Sequence, residues 1–380
     1  MPHITTTILK GKGSGRDKAE TFQMKNTPSL MQNMSSQMKN LPPHTKSISQ
    51  SNKSPSGQKK DGHLQKSVEA ARPMIPEELQ KLLVKQHYHL VGRHSAVKVC
   101  EWARRSLMNQ SSCYKEQFYK INSHRCLQMT PAVSWCTQKC VYCWRPVEWT
   151  IGTELKEWDD PNFIVEESIT AQRLLLSGYG GLKDRLDPKK WKEAQNPNQA
   201  AISLAGEPTI YPMIGELIES FHNHGFESTF LVTNGTFPDR LRDISREPTQ
   251  LYLSLEAPTK ELYKQLDRSI IPDGWERINE TIDLFPLFKC RRAIRMTMVR
   301  GWNDDEKLLP KFAELIKKAD PDFVEIKSYM CVGYSRKRLT LDNMLSHAEI
   351  IGIAKKLGEK IGFELKDSKE DSRVALLKKR

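Results

Sequence analysis

The sequence of 380 residues contains no hydrophobic run long enough to cross a membrane and no segment that resembles a secretory signal. It also lacks an internal repeat, which argues against solenoids and propellers. We therefore expect a cytoplasmic monomer with no membrane partner. Its length suits one catalytic domain together with a tail.

Acidic residues are fewer than basic ones, so the formal net charge is +13. Residues 1–75 hold twelve Lys and Arg against four Asp and Glu, and they are rich in Ser, Gln, Asn and Thr. This composition predicts a disordered basic tail, either an RNA-binding arm or a solubilising extension. We divide the remainder into an N-terminal segment at 76–126, a main domain at 127–365 and a charged C-terminal tail at 366–380.

Cysteine supplies the most informative pattern, because Cys136, Cys140 and Cys143 stand in a C-x3-C-x2-C spacing. No fourth Cys or His follows within a few residues, which disfavours structural zinc, and three close cysteines cannot pair off as disulfides. Three thiolates can hold three irons of a [4Fe-4S] cube and leave the fourth iron open. A zinc-stabilised RNA-binding protein without catalysis remains the more distant alternative.

With Tyr142 directly before the last cysteine, this motif resembles the signature of the radical S-adenosylmethionine (SAM) enzymes. The resemblance implies that the open iron binds SAM, which is cleaved to a 5′-deoxyadenosyl radical. It also implies an α/β fold, a partial (β/α)6 TIM-like barrel of the radical SAM type. Such barrels carry their active sites at the C-terminal ends of the strands.

The chain outside the motif fits that fold. Six short apolar runs, each stopped by polar or turn residues, predict strands at 127–134, 201–204, 228–232, 250–255, 293–299 and 323–326. Longer stretches between them predict helices at 161–177, 213–224, 260–265, 275–285 and 306–319. A closed eight-unit barrel or an open doubly wound sheet would give a similar alternation, and the cluster loop after the first strand favours the partial barrel.

Several residues at predicted strand ends match positions that hold SAM in that family. The loop after the second strand resembles the glycine-rich loop for the SAM amino group, and the next two strand ends match the methionine and ribose positions. The candidates are Gly206, Glu207, Pro208, Thr233, Asn234, Ser254 and Glu256. Ordinary turn or N-cap roles are the alternative for each of them.

A second cysteine set, Cys100, Cys113 and Cys126, has thirteen-residue spacing just upstream of the first. Isolated cysteines are usually small buried hydrophobes, but equal spacing here indicates a second three-cysteine cluster with its own open iron. Cys290 and Cys331 have no such pattern, and we interpret them as core residues.

With both cysteine sets, the chain resembles the tRNA 4-demethylwyosine synthases over about residues 74–363. The motifs that carry the resemblance lie at 125–131, 136–145, 152–154, 324–330 and 333–336. It implies a carbon–carbon lyase with two [4Fe-4S] clusters and SAM. That enzyme condenses N1-methylguanosine, at position 37 of phenylalanine tRNA, with pyruvate to form the tricyclic 4-demethylwyosine. A radical SAM enzyme with an auxiliary cluster that modifies a peptide is the nearer alternative.

The resemblance also implies a catalytic lysine two residues after the middle upstream cysteine, which here is Lys115. Its amine would hold pyruvate as an imine while the second cluster binds pyruvate, so burial must lower the pKa of Lys115. The chain carries no flavodoxin-like module of the kind found in eukaryotic members. We therefore expect an external electron donor such as ferredoxin or flavodoxin.

Contacts to tRNA are expected from basic and aromatic residues of the folded part. The basic candidates after the last strand are Arg336, Lys337 and Arg338. Others around the fifth strand, with two tryptophans that can stack on bases, are Arg291, Arg292, Arg295, Trp144 and Trp302. The alternative for these residues is a charged rim with buried indoles.

Overall fold

Ten strands form one mixed sheet in the computed structural model, which describes residues 74–380. The strands are β1 His89–Val91, β2 Ser95–Val97, β3 Cys126–Thr130, β4 Gln199–Ile202, β5 Ser228–Thr233, β6 Gln250–Ser254, β7 Arg291–Met298, β8 Phe323–Ser328, β9 Phe363–Lys369 and β10 Val374–Lys379. Their order in the sheet is β1-β2-β3-β4-β5-β6-β7-β8-β10-β9. The β1–β2 hairpin adds antiparallel to β3, so the N-terminal segment continues the main sheet.

The six strands from β3 to β8 are parallel neighbours in chain order. They confirm the six predicted strands, although the first ends at Thr130 and leaves residues 131–134 in the cluster loop. Because the strands are parallel, their C-terminal ends meet at one edge of the sheet, where such barrels place their sites.

Helices connect the parallel strands, and all five predicted helices are confirmed. The helices are α1 Glu77–Lys85, α2 Glu101–Leu107, α3 Tyr114–Tyr119, α4 Pro161–Ser177, α5 Pro188–Ala194, α6 Ile214–Asn223, α7 Pro238–Arg242, α8 Lys260–Leu266, α9 Gly274–Leu284, α10 Leu309–Ala319 and α11 His347–Ile361. Local chemistry fixes their ends: the Asp160 carboxylate accepts from the Asn162 and Phe163 backbone N–H groups, and Ser346 forms a capping box with Glu349.

The parallel strands separate two environments, since alternate side chains point to opposite faces. Leu231 and Leu251 face the helices and join the main hydrophobic core. Phe230 and Tyr252, one residue away on the same strands, face inward and form a separate interior cluster with Leu376 of β10. That interior is where the polar side chains of the candidate site collect.

The prediction of a charged tail at 366–380 is wrong. Residues 363–369 and 374–379 form β9 and β10, and β10 inserts between β8 and β9, antiparallel to both. The physical reason is the run Val374 to Leu377, four consecutive buried apolar residues whose burial outweighs the charges on either side. The sheet therefore continues to Lys379.

Two further expectations concern the chain outside this core. The predicted basic tail at 1–75 lies outside the described residues, apart from its last two. Among the helices of residues 74–380, none has the length and apolar character needed to cross a bilayer.

Leu376→Ala tests the structural role of β10. We expect the free energy of unfolding to fall by about 2–5 kcal/mol, because the change removes a fully packed side chain from the interior cluster. Chemical denaturation followed by circular dichroism measures the loss. Lys378→Ala, on the exposed end of the same strand, should change stability by no more than about 0.5 kcal/mol. Equal effects of the two changes would contradict the assignment.

Candidate active site

The cluster loop follows β3 and is held by backbone hydrogen bonds to three other segments of the chain. The Cys136 N–H donates to the Gly152 carbonyl at 3.1 Å, and the Val141 N–H donates to the Leu266 carbonyl at 2.9 Å. The Glu207 N–H donates to the Trp135 carbonyl at 2.8 Å. The backbone of this loop is therefore fixed independently of any bound group.

Cys136, Cys140 and Cys143 lie close enough to influence one another's titration. Burial raises the pKa of all three thiols, to about 12 for Cys136, and neighbouring thiolates raise those of Cys136 and Cys140 further. Thiolates that repel one another in this way require a cation, so the donor set fits an iron-sulfur cluster. In residues 74–380, no three His, Cys, Asp or Glu side chains meet closely enough for a single ion; in a cube, each cysteine binds its own iron.

Gly206 allows the loop after β4 to pack against the cluster loop. Its φ of +68° lies in the left-handed region, and a Cβ there would stand 2.0 Å from the Ala132 carbonyl oxygen and 2.4 Å from that of Trp135. No other residue fits without moving the backbone. Glycine is thus required here for the contact between the two loops.

Glu207 joins the ends of β4 and β5. Its carboxylate accepts from the Thr209 N–H at 3.0 Å, the Thr233 hydroxyl at 2.7 Å and the Asn234 N–H at 2.7 Å. The Asn234 side chain in turn donates to the Thr137 hydroxyl at 3.0 Å and points toward the Cys136 sulfur at 3.9 Å. Four of the predicted SAM residues therefore gather beside Cys136, with Pro208 opening a short 3-10 turn next to them.

The predicted pair Ser254 and Glu256 lies at the end of β6. Ser254 ends the strand, and Glu256 is buried two residues later. Burial and the nearby Asp267 carboxylate raise the pKa of Glu256 to about 8, and burial raises that of Asp267 to about 7. Tyr142 donates to the Asp267 carboxylate at 2.7 Å. Sequence reasoning missed Asp267, which lies at the end of α8 without a recognisable motif.

The second cysteine set also converges. Cys100 and Cys113 are the N-cap residues of α2 and α3, and Cys126 is the first residue of β3. Burial raises the pKa of each thiol, and Cys100 and Cys113 raise that of Cys126 further. Thirteen-residue spacing thus corresponds to the starts of three elements, and the Cys113 N–H donates at 2.9 Å to the hydroxyl of Ser123, three residues before Cys126.

Lys115 lies on α3 and points into the barrel interior. Its side chain is 8% exposed, and its Nζ atom lies 4.3 Å from the Phe230 ring centroid and 4.4 Å from that of Tyr252. Burial lowers the pKa of Lys115, while Glu325 and Cys113 act in the opposite sense. The lysine is therefore enclosed by aromatic faces next to the second cysteine set.

A single carboxylate, Glu325 of β8, organises the surroundings of Lys115. It accepts hydrogen bonds from the hydroxyls of Tyr114 at 2.9 Å, Tyr119 at 2.7 Å and Tyr252 at 3.0 Å. Because two of these tyrosines belong to α3, the network fixes the helix that carries Lys115. Glu325 lies within the 324–330 motif, but only the fold shows that three tyrosine hydroxyls reach it.

The β9–β10 hairpin contacts the same region from outside. Gln117 of α3 donates to the Asp367 carboxylate at 2.7 Å and to the Ser368 carbonyl at 3.1 Å. Ser111, which precedes α3, donates to Asp371 between the two hairpin strands. The hairpin therefore supports the segment that holds Cys113 and its lysine.

The basic residues after β8 have different surroundings. Arg338 donates to the Val141 carbonyl at 3.0 Å and to the Cys143 carbonyl, so its guanidinium is engaged in holding the cluster loop. Arg336 and Lys337 are exposed. Only these two of the three predicted residues offer a charge to solvent.

The arginines of β7 do not form one surface. Strand alternation turns Arg291 toward the interior Tyr119 ring, with 5.2 Å to its centroid, whereas Arg292 pairs with Asp322. Arg295 interacts with Glu325 in the barrel interior. Of the two tryptophans, Trp302 packs against a buried cluster and Trp144 is 38% exposed.

Comparison with known proteins gives matches over most of the described chain. A family model described as radical SAM superfamily matches residues 131–313, and one described as wyosine base formation matches 318–379. The chain is 52% identical to the S-adenosyl-L-methionine-dependent tRNA 4-demethylwyosine synthase of Pyrococcus abyssi, over 81% of this chain and 90% of the relative. Identity to the Methanocaldococcus jannaschii enzyme is 46%, over 80% and 96%.

The chain belongs to the tRNA 4-demethylwyosine synthase family. Among solved structures it is similar to TYW1 with a lysine-pyruvate adduct bound, with a TM-score of 0.73 and 44% identity over 80% of this chain and 96% of that one. An archaeal TYW1 structure has a TM-score of 0.66 and 41% identity, over the same shares. Membership in this synthase family decides against the peptide-modifying and zinc-stabilised alternatives.

Gly206→Ala tests the loop contact in this synthase family member. We expect the added methyl group to force the two loops apart, so that the cluster expected at Cys136, Cys140 and Cys143 no longer binds. The iron content of each anaerobically reconstituted chain should then fall by about four. Iron analysis measures the loss. Gly225→Ala is the matched control, because its φ of +82° is equally unusual but a Cβ there meets nothing within 4 Å. Full iron content in the Gly206 variant would refute the contact's importance.

Proposed function

We propose that this chain is a tRNA 4-demethylwyosine synthase that condenses N1-methylguanosine, at position 37 of phenylalanine tRNA, with pyruvate. The observation that carries the proposal is the convergence of two cysteine sets and a buried lysine in one barrel. The Pyrococcus abyssi and Methanocaldococcus jannaschii relatives that bear this name match the chain over 90% and 96% of their own length. A reaction that joins a radical fragment to a ketone needs both a radical source and a place for the ketone.

Cys136, Cys140 and Cys143 would hold the first cluster, with Gly206, Glu207, Pro208, Thr233, Asn234, Ser254 and Glu256 around SAM. The bound cluster and SAM supply a 5′-deoxyadenosyl radical. The residues of this chain fix the geometry: the Glu207 carboxylate holds two strand ends together, and Arg338 holds the carbonyl of Cys143.

Cys100, Cys113 and Cys126 would hold a second [4Fe-4S] cluster beside Lys115. Burial raises the pKa of all three thiols, and Cys100 and Cys113 raise that of Cys126 further, so a cation is needed for all three to be thiolates together. Such a cluster would have one iron without a protein ligand, which would take the carboxylate and carbonyl oxygens of incoming pyruvate. Its site lies at the helix that carries the lysine, which suits a role in holding the ketone.

Lys115 would bind pyruvate as an imine. The Nζ lone pair attacks the ketone carbon, the carbonyl oxygen leaves as water, and hydrolysis returns the amine after the carbon–carbon bond is made. Burial among Phe230 and Tyr252 favours the neutral amine that this attack requires. The lysine-pyruvate adduct in the related TYW1 structure supports the assignment.

The tRNA would meet the protein at the rim beside the cluster loop. Trp144 presents an exposed ring there, and Arg336 and Lys337 present charge close to it, because the Tyr334 N–H is bonded to the Trp144 carbonyl at 3.0 Å. Aromatic rings and cations are the groups that recognise extruded bases and phosphates. We further propose an external electron donor such as ferredoxin or flavodoxin and a monomeric enzyme.

Nucleoside analysis tests the function directly. In tRNA from a strain that lacks this protein, we expect N1-methylguanosine to accumulate at position 37 and wyosine derivatives to disappear. Liquid chromatography with mass spectrometry measures both, and the wild-type gene restores the original pattern. Unchanged wyosine derivatives in the deletion strain would sink the assignment.

Borohydride trapping of pyruvate tests Lys115. We expect covalent label on the wild-type holoenzyme and none on Lys115→Ala, since only an imine is reduced to a stable amine. Lys327→Met is the matched control: Lys327 is a second interior lysine, and burial lowers its pKa to about 8. Intact-mass spectrometry reads the adduct. Label that survives in the Lys115 variant, or vanishes only in the Lys327 variant, would assign the imine to another amine.

Iron content tests the second cluster. The anaerobically reconstituted wild-type protein should hold about eight irons per chain, and Cys113→Ala should lose about four while keeping the SAM-dependent spectroscopic change of the first cluster. Cys290→Ala, a cysteine outside both sets, should retain all of its iron. About four irons in the wild type would leave room for only one cluster.

A further inference from the structure

Arg145 carries a buried positive charge that has no ion-pair or hydrogen-bond partner in the described chain. It follows Cys143 by two residues, and its side chain is 6% exposed. None of its three side-chain nitrogen atoms has a hydrogen-bond partner within residues 74–380. The guanidinium is stacked against the Trp144 ring, 3.0 Å from its centroid, and lies 4.8 Å from the Tyr88 ring centroid. An unpaired guanidinium in such a place is strongly unfavourable unless an anion joins it.

Two further donors lie at the same place. The Tyr88 hydroxyl is buried and also lacks a hydrogen-bond partner among the described residues. The Lys98 ammonium lies 5.0 Å from the Tyr88 ring centroid and 5.4 Å from that of Trp144. Its one hydrogen bond in the described chain is to the Gln86 carbonyl at 2.7 Å, which leaves further N–H donors available. Three donor side chains therefore meet around the Tyr88 and Trp144 rings, and within residues 74–380 no carboxylate forms an ion pair with Arg145 or Lys98.

We propose that Arg145, Tyr88 and Lys98 form a receptor for the carboxylate of a small substrate. The planar guanidinium matches the two oxygens of a carboxylate, and the hydroxyl and ammonium add donors from other directions. Lys98 precedes Cys100 by two residues and Arg145 follows Cys143 by two, so the receptor is built from the segments that carry both cysteine sets.

The inference rests on the proposed function for its ligands, because that function uses two small carboxylates, pyruvate and SAM. A phosphate of the tRNA backbone is a less suitable occupant. It is flanked by two nucleosides, whereas Arg145 and Tyr88 are more than nine-tenths buried. Pyruvate and SAM both offer a carboxylate to this receptor, and binding measurements distinguish between them.

The test uses isothermal titration of the anaerobically reconstituted holoenzyme to compare the affinity for each acid with the affinity for a compound that lacks its carboxylate; we call this ratio the discrimination. Pyruvate is compared with pyruvamide, and SAM is compared with decarboxylated SAM. The wild type should prefer one of the two acids over the compound that lacks its carboxylate. Arg145→Met should weaken binding of that acid by about 10- to 100-fold and leave its partner unchanged. Arg173→Met, an exposed arginine on α4, should alter neither.

Tyr88→Phe is the variant that keeps the fold, because the hydroxyl makes no hydrogen bond and the ring remains against Arg145. It should reduce the same discrimination by several-fold. Without substrate, Arg145→Met should unfold at a higher temperature than the wild type, since an unpaired buried charge is removed. If Arg145 only stabilised the fold, Arg145→Met would instead unfold at a lower temperature than the wild type.

Loss of discrimination for pyruvate, or for SAM, supports the receptor and identifies which acid it holds. Unchanged discrimination for both acids in the two variants overturns it. So does a loss confined to tRNA affinity, which would make the occupant a phosphate, or a change confined to the reduction potential of a cluster. These measurements need no turnover, so their failure differs from failure of the proposed function, which nucleoside analysis reports.

Discussion

The backbone contacts of the cluster loop are the constraint on which the site depends. Segments from the ends of β4, β6 and β8 reach this loop: Gly206 lies against two of its carbonyls, Leu266 accepts from Val141, and Arg338 donates to Cys143. These contacts involve main-chain atoms of the loop, so they define its path whatever the side chains bind. Parallel strands make this possible, because they deliver every one of these segments to the same edge.

Below that edge, the interior of the barrel is unusually polar for a protein core. Glu325 is compensated by three tyrosine hydroxyls and lies near Lys115, Arg295 and Lys327. A buried polar network is tolerated only when its members are satisfied, and this one anchors a helix as well as a charge. The cost of burying these groups is offset by the apolar layer between strands and helices, where most of the hydrophobic core lies.

The sequence predicted the parallel core well, because each strand there is a short apolar run that ends in turn residues. It also located both cysteine sets, because their spacing can be recognised without knowledge of the fold. It failed for the C-terminal segment, since a count of charges hides the buried run from Val374 to Leu377. Arg338 was expected at the RNA, but its exposure depends on where the cluster loop passes. Asp267 belongs to no local pattern. Arg145 and Glu325 lie within motifs of the family resemblance, but only tertiary packing reveals their environments.

The hairpin of β9 and β10 lies in the second of the two parts of the chain that the family models match. The radical SAM match ends at residue 313, and the wyosine match covers 318–379, which includes both hairpin strands. Through Gln117 and Ser111, this second part touches the segment of the barrel that carries Lys115, on the opposite flank from the β1–β2 hairpin. The part of the chain that the wyosine model matches therefore also supplies Glu325 of β8, so it reaches the helix of Lys115 from the barrel interior and from the margin of the sheet at once.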